Sequence, residues 1–443
     1  MADETQPDSS RPSGSDPVAD SSQRGASHSD DGVGTFAAMR DGTFRWLWAA
    51  SWAYYTGRAM ELAVLSWLIL ELTDSPASVA LVAVSRAAPM FVFGVLAGSL
   101  SDRYRRRSVM LAAQTLNLAI VLVLTVLMMT SRIETWHVYS GIAVTGFSWA
   151  LDFTARRAYL ASLFSGRALT NAMSLDTGAL ISSNLTGPLF GTSLLRWTDF
   201  GGAYVGITAF TVSGLVLLFT LRGEVPPVGA APAPLRVLAE ALGIARRHRS
   251  VMATLLVTMV FNLFGWPIST QIPVIARDEL GVPEILYGVL AGGLGVGALV
   301  GAVILATLNP RRRGSVYSLG TLLFLVAAFG FALSPWYLLS LALLIVAGMG
   351  LVSFGIMQPL LVIEVVPPEL RGRALGAVAL AIGASPMGML LVGFIAETAG
   401  PRMGVAVPTV IGLALMLVLR RRYSVLRGSP ELAEAPTPNN TSA

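Results

Sequence analysis

An apolar run long enough to cross a bilayer recurs about twelve times between residues 46 and 420, and this recurrence bounds the fold before any motif is read. The runs occupy 46–71, 77–100, 108–130, 135–155, 168–195, 202–222, 250–276, 285–308, 315–333, 336–365, 374–397 and 403–420. At 1.5 Å of rise per residue, roughly 20 apolar residues cross about 30 Å of hydrocarbon. Lipid offers no partner for backbone N–H and C=O groups, so these runs are expected to be helices. Only 13% of the residues are charged and the mean hydropathy is +0.65, against about 25% charged in soluble domains. The expected class is an all-α membrane protein.

The gaps between runs fall into two alternating sets. One set holds Arg103, Arg105, Arg106 and Arg107, then Arg156, Arg157 and Arg167, then Arg222 through Arg249, Arg311 to Arg313, Arg371 and Arg373, and Arg420 to Arg422. The other set is short and acidic or mixed: "ELTDSPA", "SRIETW", "RWTDFGG", "DELGVPE", "SPW" and "ETAGPR". Arginine-rich loops stay in the cytosol, which places both termini and the long 223–249 connection there. The net charge of +5 therefore reads as an orientation signal, with the lipid bilayer as partner and no nucleic acid. Residues 1–42 and 423–443 lack apolar runs and are expected to be disordered cytosolic tails.

A repeat divides the chain. "RRRSV" at 105 returns as "RRRGSV" at 311, and "GRALTNAMSL" at 166 returns as "GRALGAVALA" at 372, each displaced by 206 residues. Two matches at one displacement predict two pseudo-symmetric six-helix bundles, 43–222 and 250–422, joined by 223–249. Transporters built from such halves hold their substrate near the midplane, between the halves.

Several chemistries are excluded. All 31 basic residues are arginine, which removes a Walker-type phosphate loop and a lysine Schiff base. There is no cysteine, and the histidines, His28, His137 and His248, are scattered, so neither a thiolate nor a metal centre is expected.

The loop after the second run, "GSLSDRYRRR", resembles the loop 2–3 signature of the major facilitator superfamily through Gly98, Leu100, Asp102, Arg103, Arg106 and Arg107, with Arg105 where that pattern has glycine. Gly187, Pro188 and Gly191 resemble the core of its antiporter motif, with Ser183 replacing an upstream glycine. The stretches 44–81 and 153–175 are similar to the branch containing siderophore exporters and macrolide efflux proteins, and the likeness covers about residues 43–420. That resemblance implies a major facilitator fold and a cytoplasmic gate in which Asp102 faces the start of the eleventh helix near Arg373. The following arginines would hold helix ends together. It also implies that the Gly187-Pro188 element breaks the fifth helix locally, limits leak and marks export. Asp102 as a plain loop cap, and Gly187-Pro188 as a packing kink, are the alternatives.

Ionisable groups inside a membrane are costly and point to function. Arg58 and Glu61, three apart, share a helix face with Tyr54 and Ser51, and Arg86 reaches a similar depth, about 13 Å, from the outer end of the second run. A neighbouring arginine favours the ionised acid while desolvation favours the neutral one, the balance a proton carrier needs. Asp176 is a second proton candidate, and a static ion pair is the alternative for Glu61. Asp152 is expected near the cytosolic face as a partner for Arg106, or else simply wetted by headgroups. Tyr54, Trp149, Asn262, Trp266, Gln271 and Gln358 lie at depths suited to a substrate cavity, or else serve helix packing. Trp266-Pro267 should kink the seventh helix, and the glycines of 288–304 should permit close helix contact.

The expected function is a proton-coupled exporter of amphiphilic small molecules, drug or siderophore, working by alternating access in a bacterial cytoplasmic membrane. It would be a monomer and not an enzyme, with no cofactor and the proton gradient as its energy source. An importer or uniporter of a small metabolite, or a polytopic membrane enzyme or sensor, are the alternatives.

Overall fold

The computed structural model describes residues 37–221, 243, 248–308, 310–366 and 371–428. Most of the expected 223–249 linker and of both tails lies outside these residues, as do the side chains of 91, 94–103, 371–373 and 375. Six long helices form the first half: α1 (Gly42–Thr73), α2 (Pro76–Arg103), α3 (Arg106–Met129), α4 (Thr135–Leu163), α5 (Gly166–Trp197) and α6 (Phe200–Phe219). The second half comprises α7 (Arg249–Phe264), α8 (Glu284–Leu308), α9 (Arg313–Leu333), α10 (Tyr337–Val365), α11 (Arg371–Ile382), α12 (Ser385–Ala399) and α13 (Pro401–Arg422).

Turn chemistry sets several ends. Asp41 caps α1 by accepting from the Phe44 N–H at 2.8 Å, and Asp199 caps α6 through the Gly202 N–H at 2.6 Å. His137 Nδ1 accepts from the Glu134 N–H at 3.1 Å, closing the start of α4. After Phe264 the chain leaves α geometry, passing through a 3-10 stretch (Trp266–Gln271) and a π turn (Ile275–Glu279). Pro267 and Pro273 fall in this interval, so the kink expected at Trp266-Pro267 is present as a full break.

Eight of the described segments are long and apolar enough to span a bilayer: α3, α6, the 249–279 unit, α8, α9, α10, the 376–399 unit and α13. α1, α4 and α5 have ample length, 32, 29 and 32 residues, but carry the buried charges that lower their hydropathy. The described apolar part of α2 is Pro76–Met90. The chain is an all-helical, multi-pass membrane protein.

The same packing pattern occurs in both halves. α2 packs on α4, α3 on α4 and on α6, and α1 on α5 and on α6. Correspondingly, α8 packs on α10, α9 on α10 and on α13, and α7 on α11 and on α13. The repeated sequence stretches occupy matching places, one opening α3 and α9, the other opening α5 and α11. Across the halves, α2 meets α12 and α5 meets α8.

The glycines of α8 act as the sequence suggests. A Cβ on Gly297 would lie 1.8 Å from the Ile345 carbonyl oxygen, and one on Gly348 would lie 2.2 Å from that of Leu294. The backbones of α8 and α10 therefore touch at this pair. Gly297→Val is expected to force the helices apart and cost about 1–3 kcal/mol or more, read as a lower melting temperature of purified protein. An unchanged melting temperature would deny the close contact.

Two short turns lie inside the stretches assigned to the tails. Ala37–Arg40 forms a 3-10 turn, and the Ala38 N–H donates to Asn171 Oδ1 at 3.0 Å. Ser424–Arg427 forms another, with Leu426 buried and its carbonyl accepting from Ser318 Oγ at 2.7 Å. Residues 37–40 and 424–427 are therefore ordered against neighbouring helices, inside the stretches expected to be tails.

Candidate functional site

Among the described residues, the Asp, Glu and Arg side chains in helix interiors are confined to the first half, where they form two tiers. In the second half no Asp, Glu or Arg interrupts the spans except at their ends.

The deep tier joins α1, α2 and α4. Counted along their helices, Glu61, Arg86 and Thr145 each lie about 15–18 Å from the acidic-loop end. Arg58 Nη1 donates to the Thr145 carbonyl oxygen at 2.9 Å, and its guanidinium lies over the Trp149 ring at 4.4 Å. Arg86 Nη1 donates to the Arg58 carbonyl oxygen at 2.9 Å. The Thr145 hydroxyl donates to Glu61 Oε2 at 3.3 Å. Glu61 is 1% exposed, and its Oε1 has no hydrogen-bond partner; the nearby Tyr204 hydroxyl is likewise buried and unpartnered. Nη1 of each arginine is thus spent on a backbone carbonyl and not on the Glu61 carboxylate. The structure thus brings Arg58, Glu61 and Arg86 together as expected, through Thr145, which the sequence reading did not single out.

Gly146 makes this tier possible. A Cβ there would sit 2.3 Å from the Arg86 carbonyl oxygen, so only glycine lets α4 approach α2 at the level of the cluster.

The second tier lies toward the arginine-rich end. Arg156 Nε and Nη2 bond Asp152 Oδ2 and Oδ1 at 2.9 and 2.8 Å, and both residues are fully buried. Gln114 Nε2 donates to Asp152 Oδ1 at 3.0 Å, Arg156 Nη1 donates to Ser51 Oγ at 2.6 Å, and the guanidinium lies 5.6 Å from the Tyr55 ring centre. The Tyr55 hydroxyl donates to Asp176 Oδ2 at 3.3 Å. This network ties α1, α3, α4 and α5.

The expected pairing of Asp152 with Arg106 is replaced. α4 runs to Leu163, eight residues past the predicted end of its span, so Arg156 lies inside the helix, one turn from Asp152, and takes the carboxylate. Arg106 instead donates to the Ala158 carbonyl oxygen at 2.8 Å, and Arg107 to that of Phe219, the last residue of α6, at 2.9 Å. Cations at helix C-termini are favoured there. Gly98, Asp102 and Arg103 lie outside the described side chains, so their part of the gate motif has no described contacts.

The antiporter-like element does not break its helix. α5 is continuous from Gly166 to Trp197, with Pro188 inside it. The glycines serve approach instead: a Cβ on Gly187 would meet that of Ala59 at 2.4 Å, and one on Gly191 would meet the Met60 backbone at 3.2 Å. The element presses α5 onto α1 beside the deep tier.

The six cavity candidates separate into groups. Tyr54 and Trp149 stand together, ring centres 6.4 Å apart, with Tyr55 5.4 Å from Trp149. Gln358 Nε2 donates to Thr258 Oγ1 at 2.7 Å and Asn262 Nδ2 to the Thr258 carbonyl oxygen at 2.9 Å, so these two share one threonine of α7. Trp266 and Gln271 bracket the 3-10 stretch, Gln271 buried with its Oε1 unpartnered. One group is therefore aromatic and cationic, and another offers neutral amides.

Comparison with known proteins follows this geometry. A family profile described as transmembrane secretion effector matches residues 33–437. The chain is 30% identical to an uncharacterised MFS-type transporter, YfiS, of Bacillus subtilis, over 76% of this chain and 83% of that protein. It is 21% identical to macrolide efflux protein A of Streptococcus pyogenes, over 81% and 90% of the two chains. Among solved structures, a bacterial homologue of the human lysosomal transporter Spinster, inward-facing and unoccupied, superposes with a TM-score of 0.67 at 14% identity, covering 88% of this chain and 99% of that one.

Proposed function

The chain belongs to the transmembrane secretion effector family of the major facilitator superfamily, and from that membership we propose a proton-coupled exporter of amphiphilic small molecules, drug or siderophore. It is a membrane transporter and not an enzyme. The proposed architecture is twelve transmembrane helices in two pseudo-symmetric six-helix bundles. The break after Phe264 is bridged within the seventh, and α11 and α12 together make the eleventh. The matching helix contacts of the two halves support this arrangement. The arginine-rich loops face the cytosol, which puts both termini there.

The observation that carries the reading is the deep tier: one carboxylate, fully enclosed, with an unbonded oxygen, beside two arginines committed to backbone carbonyls. Desolvation favours the neutral acid and the arginines favour the ionised one, so a small change in helix packing tips the balance. Glu61 is the proposed proton carrier. Asp152 is engaged on both oxygens by Arg156 and serves structure, and Asp176, held by Tyr55, is the second candidate. Substrate would lie between the Tyr54–Trp149 aromatics and the Asn262–Gln358 amides, apolar breadth with a few polar anchors. The macrolide efflux relative supports export of an amphiphile.

Inverted membrane vesicles test this. With a proton gradient imposed, adding a transported macrolide or siderophore is expected to dissipate the gradient, and only in vesicles containing the protein. A gradient indifferent to every such compound, with uptake equally fast after the gradient is collapsed, would refute proton coupling.

A further inference from the structure

The described hydrogen bonds and ion pairs between the two halves gather at the acidic-loop end, and two residues grip one turn there. The turn is Asp74–Ser75, between α1 and α2. Asp74 holds a left-handed backbone, φ 47°, as the C-terminal cap of α1. From the second half, Arg277 reaches it with two bonds and is steadied by a third. Nη1 donates to the Leu70 carbonyl oxygen at 2.8 Å, Nη2 lies 2.9 Å from Asp74 Oδ1, and Nε lies 2.6 Å from Asp278 Oδ1, which orients the guanidinium. On the other side of the turn, Glu397 Oε2 accepts from Ser75 Oγ at 2.8 Å and from the Ala77 N–H at 3.2 Å.

The charges match the helix ends they touch. Leu70 belongs to the last turn of α1, where unpaired carbonyls favour a cation; Ala77 belongs to the first turn of α2, where free N–H groups favour an anion. Arg277 comes from the π turn ending the seventh span and Glu397 from the end of α12. A rotation of one half against the other cannot keep both grips, because they act on a single rigid turn from two separate elements.

We infer that Arg277 and Glu397 form a paired latch on the α1–α2 turn that holds the acidic-loop end of the transporter closed and must release for that end to open. Asp74 is 81% exposed on its side chain, and solvent-exposed pairs contribute little each. The latch is therefore strong enough to bias a two-state equilibrium and weak enough to open in every cycle. It rests on the alternating-access reading above but not on which solute moves.

The absence of native cysteine gives a clean background for the test. Spin labels at Leu72→Cys and Leu338→Cys, both exposed at this end on opposite halves, report its opening as a distance distribution in lipid nanodiscs. Arg277→Gln with Glu397→Gln is expected to raise the long-distance population roughly tenfold, with either single substitution giving a smaller rise. A distribution unchanged in the doubly substituted protein, shown folded by its wild-type melting temperature, would overturn the latch. That result would leave proton-coupled transport standing, since the measurement uses neither substrate nor gradient.

Discussion

Arg156→Met is expected to destabilise the protein by about 3–5 kcal/mol, the usual cost of stripping one partner from a buried ion pair. Arg156 is fully enclosed and supplies two of the bonds to Asp152, one to Ser51 and a cation face to Tyr55. Without it, Asp152 keeps only the Gln114 amide, and a carboxylate in that environment is poorly tolerated. The measurement is thermal unfolding of purified protein. The double substitution Asp152→Leu with Arg156→Met separates charge from packing. Removing both charges should recover most of the lost stability, because a well-packed apolar pair often matches a buried ion pair. A double variant as unstable as the single one would mean that packing alone was lost.

Glu61→Gln is expected to reduce gradient-driven transport to less than about a tenth of the wild-type rate while leaving substrate exchange across the membrane intact. Glutamine keeps the Oε acceptor for the Thr145 hydroxyl and nearly the same volume, so the helices of the deep tier have no reason to move. What it removes is the proposed proton site. Exchange with substrate on both sides needs no net proton movement and so should survive, whereas uphill transport should not. Full gradient-driven efflux in the Gln variant would remove Glu61 from coupling and direct attention to Asp176, held by the Tyr55 hydroxyl.

Much of this architecture was legible in the residues. The apolar runs locate the helices to within a few residues at most ends, since hydropathy and lipid share one requirement. The break after Phe264 follows from Pro267, and the α8–α10 contact from the glycines of 288–304. The grouping of Arg58, Glu61 and Arg86 follows from counting depth along two helices. The second tier was not legible in the same way. Arg156 closed an apolar run and was counted with the loop arginines, yet helices are not obliged to end where hydrocarbon does. Its four-residue spacing from Asp152 was the available signal, because residues i and i+4 share a helix face. Thr145 and Tyr204 carried no signal, as a hydroxyl in an apolar run reads the same whether it faces a carboxylate or its own helix backbone. The α5 proline misled for a related reason: α5 packs along α1 and α8 and stays one continuous helix through Pro188, where local sequence alone suggests a break.

The proposal at the centre is that Glu61 carries the coupled proton and gives it up as solute binds between the aromatic and amide groups. Purified protein in weakly buffered detergent solution can be mixed with a macrolide that raises its melting temperature, and proton release read with a pH dye. The account predicts release on binding by the wild-type protein and none by Glu61→Gln, which should still bind. Equal release from both proteins would contradict it.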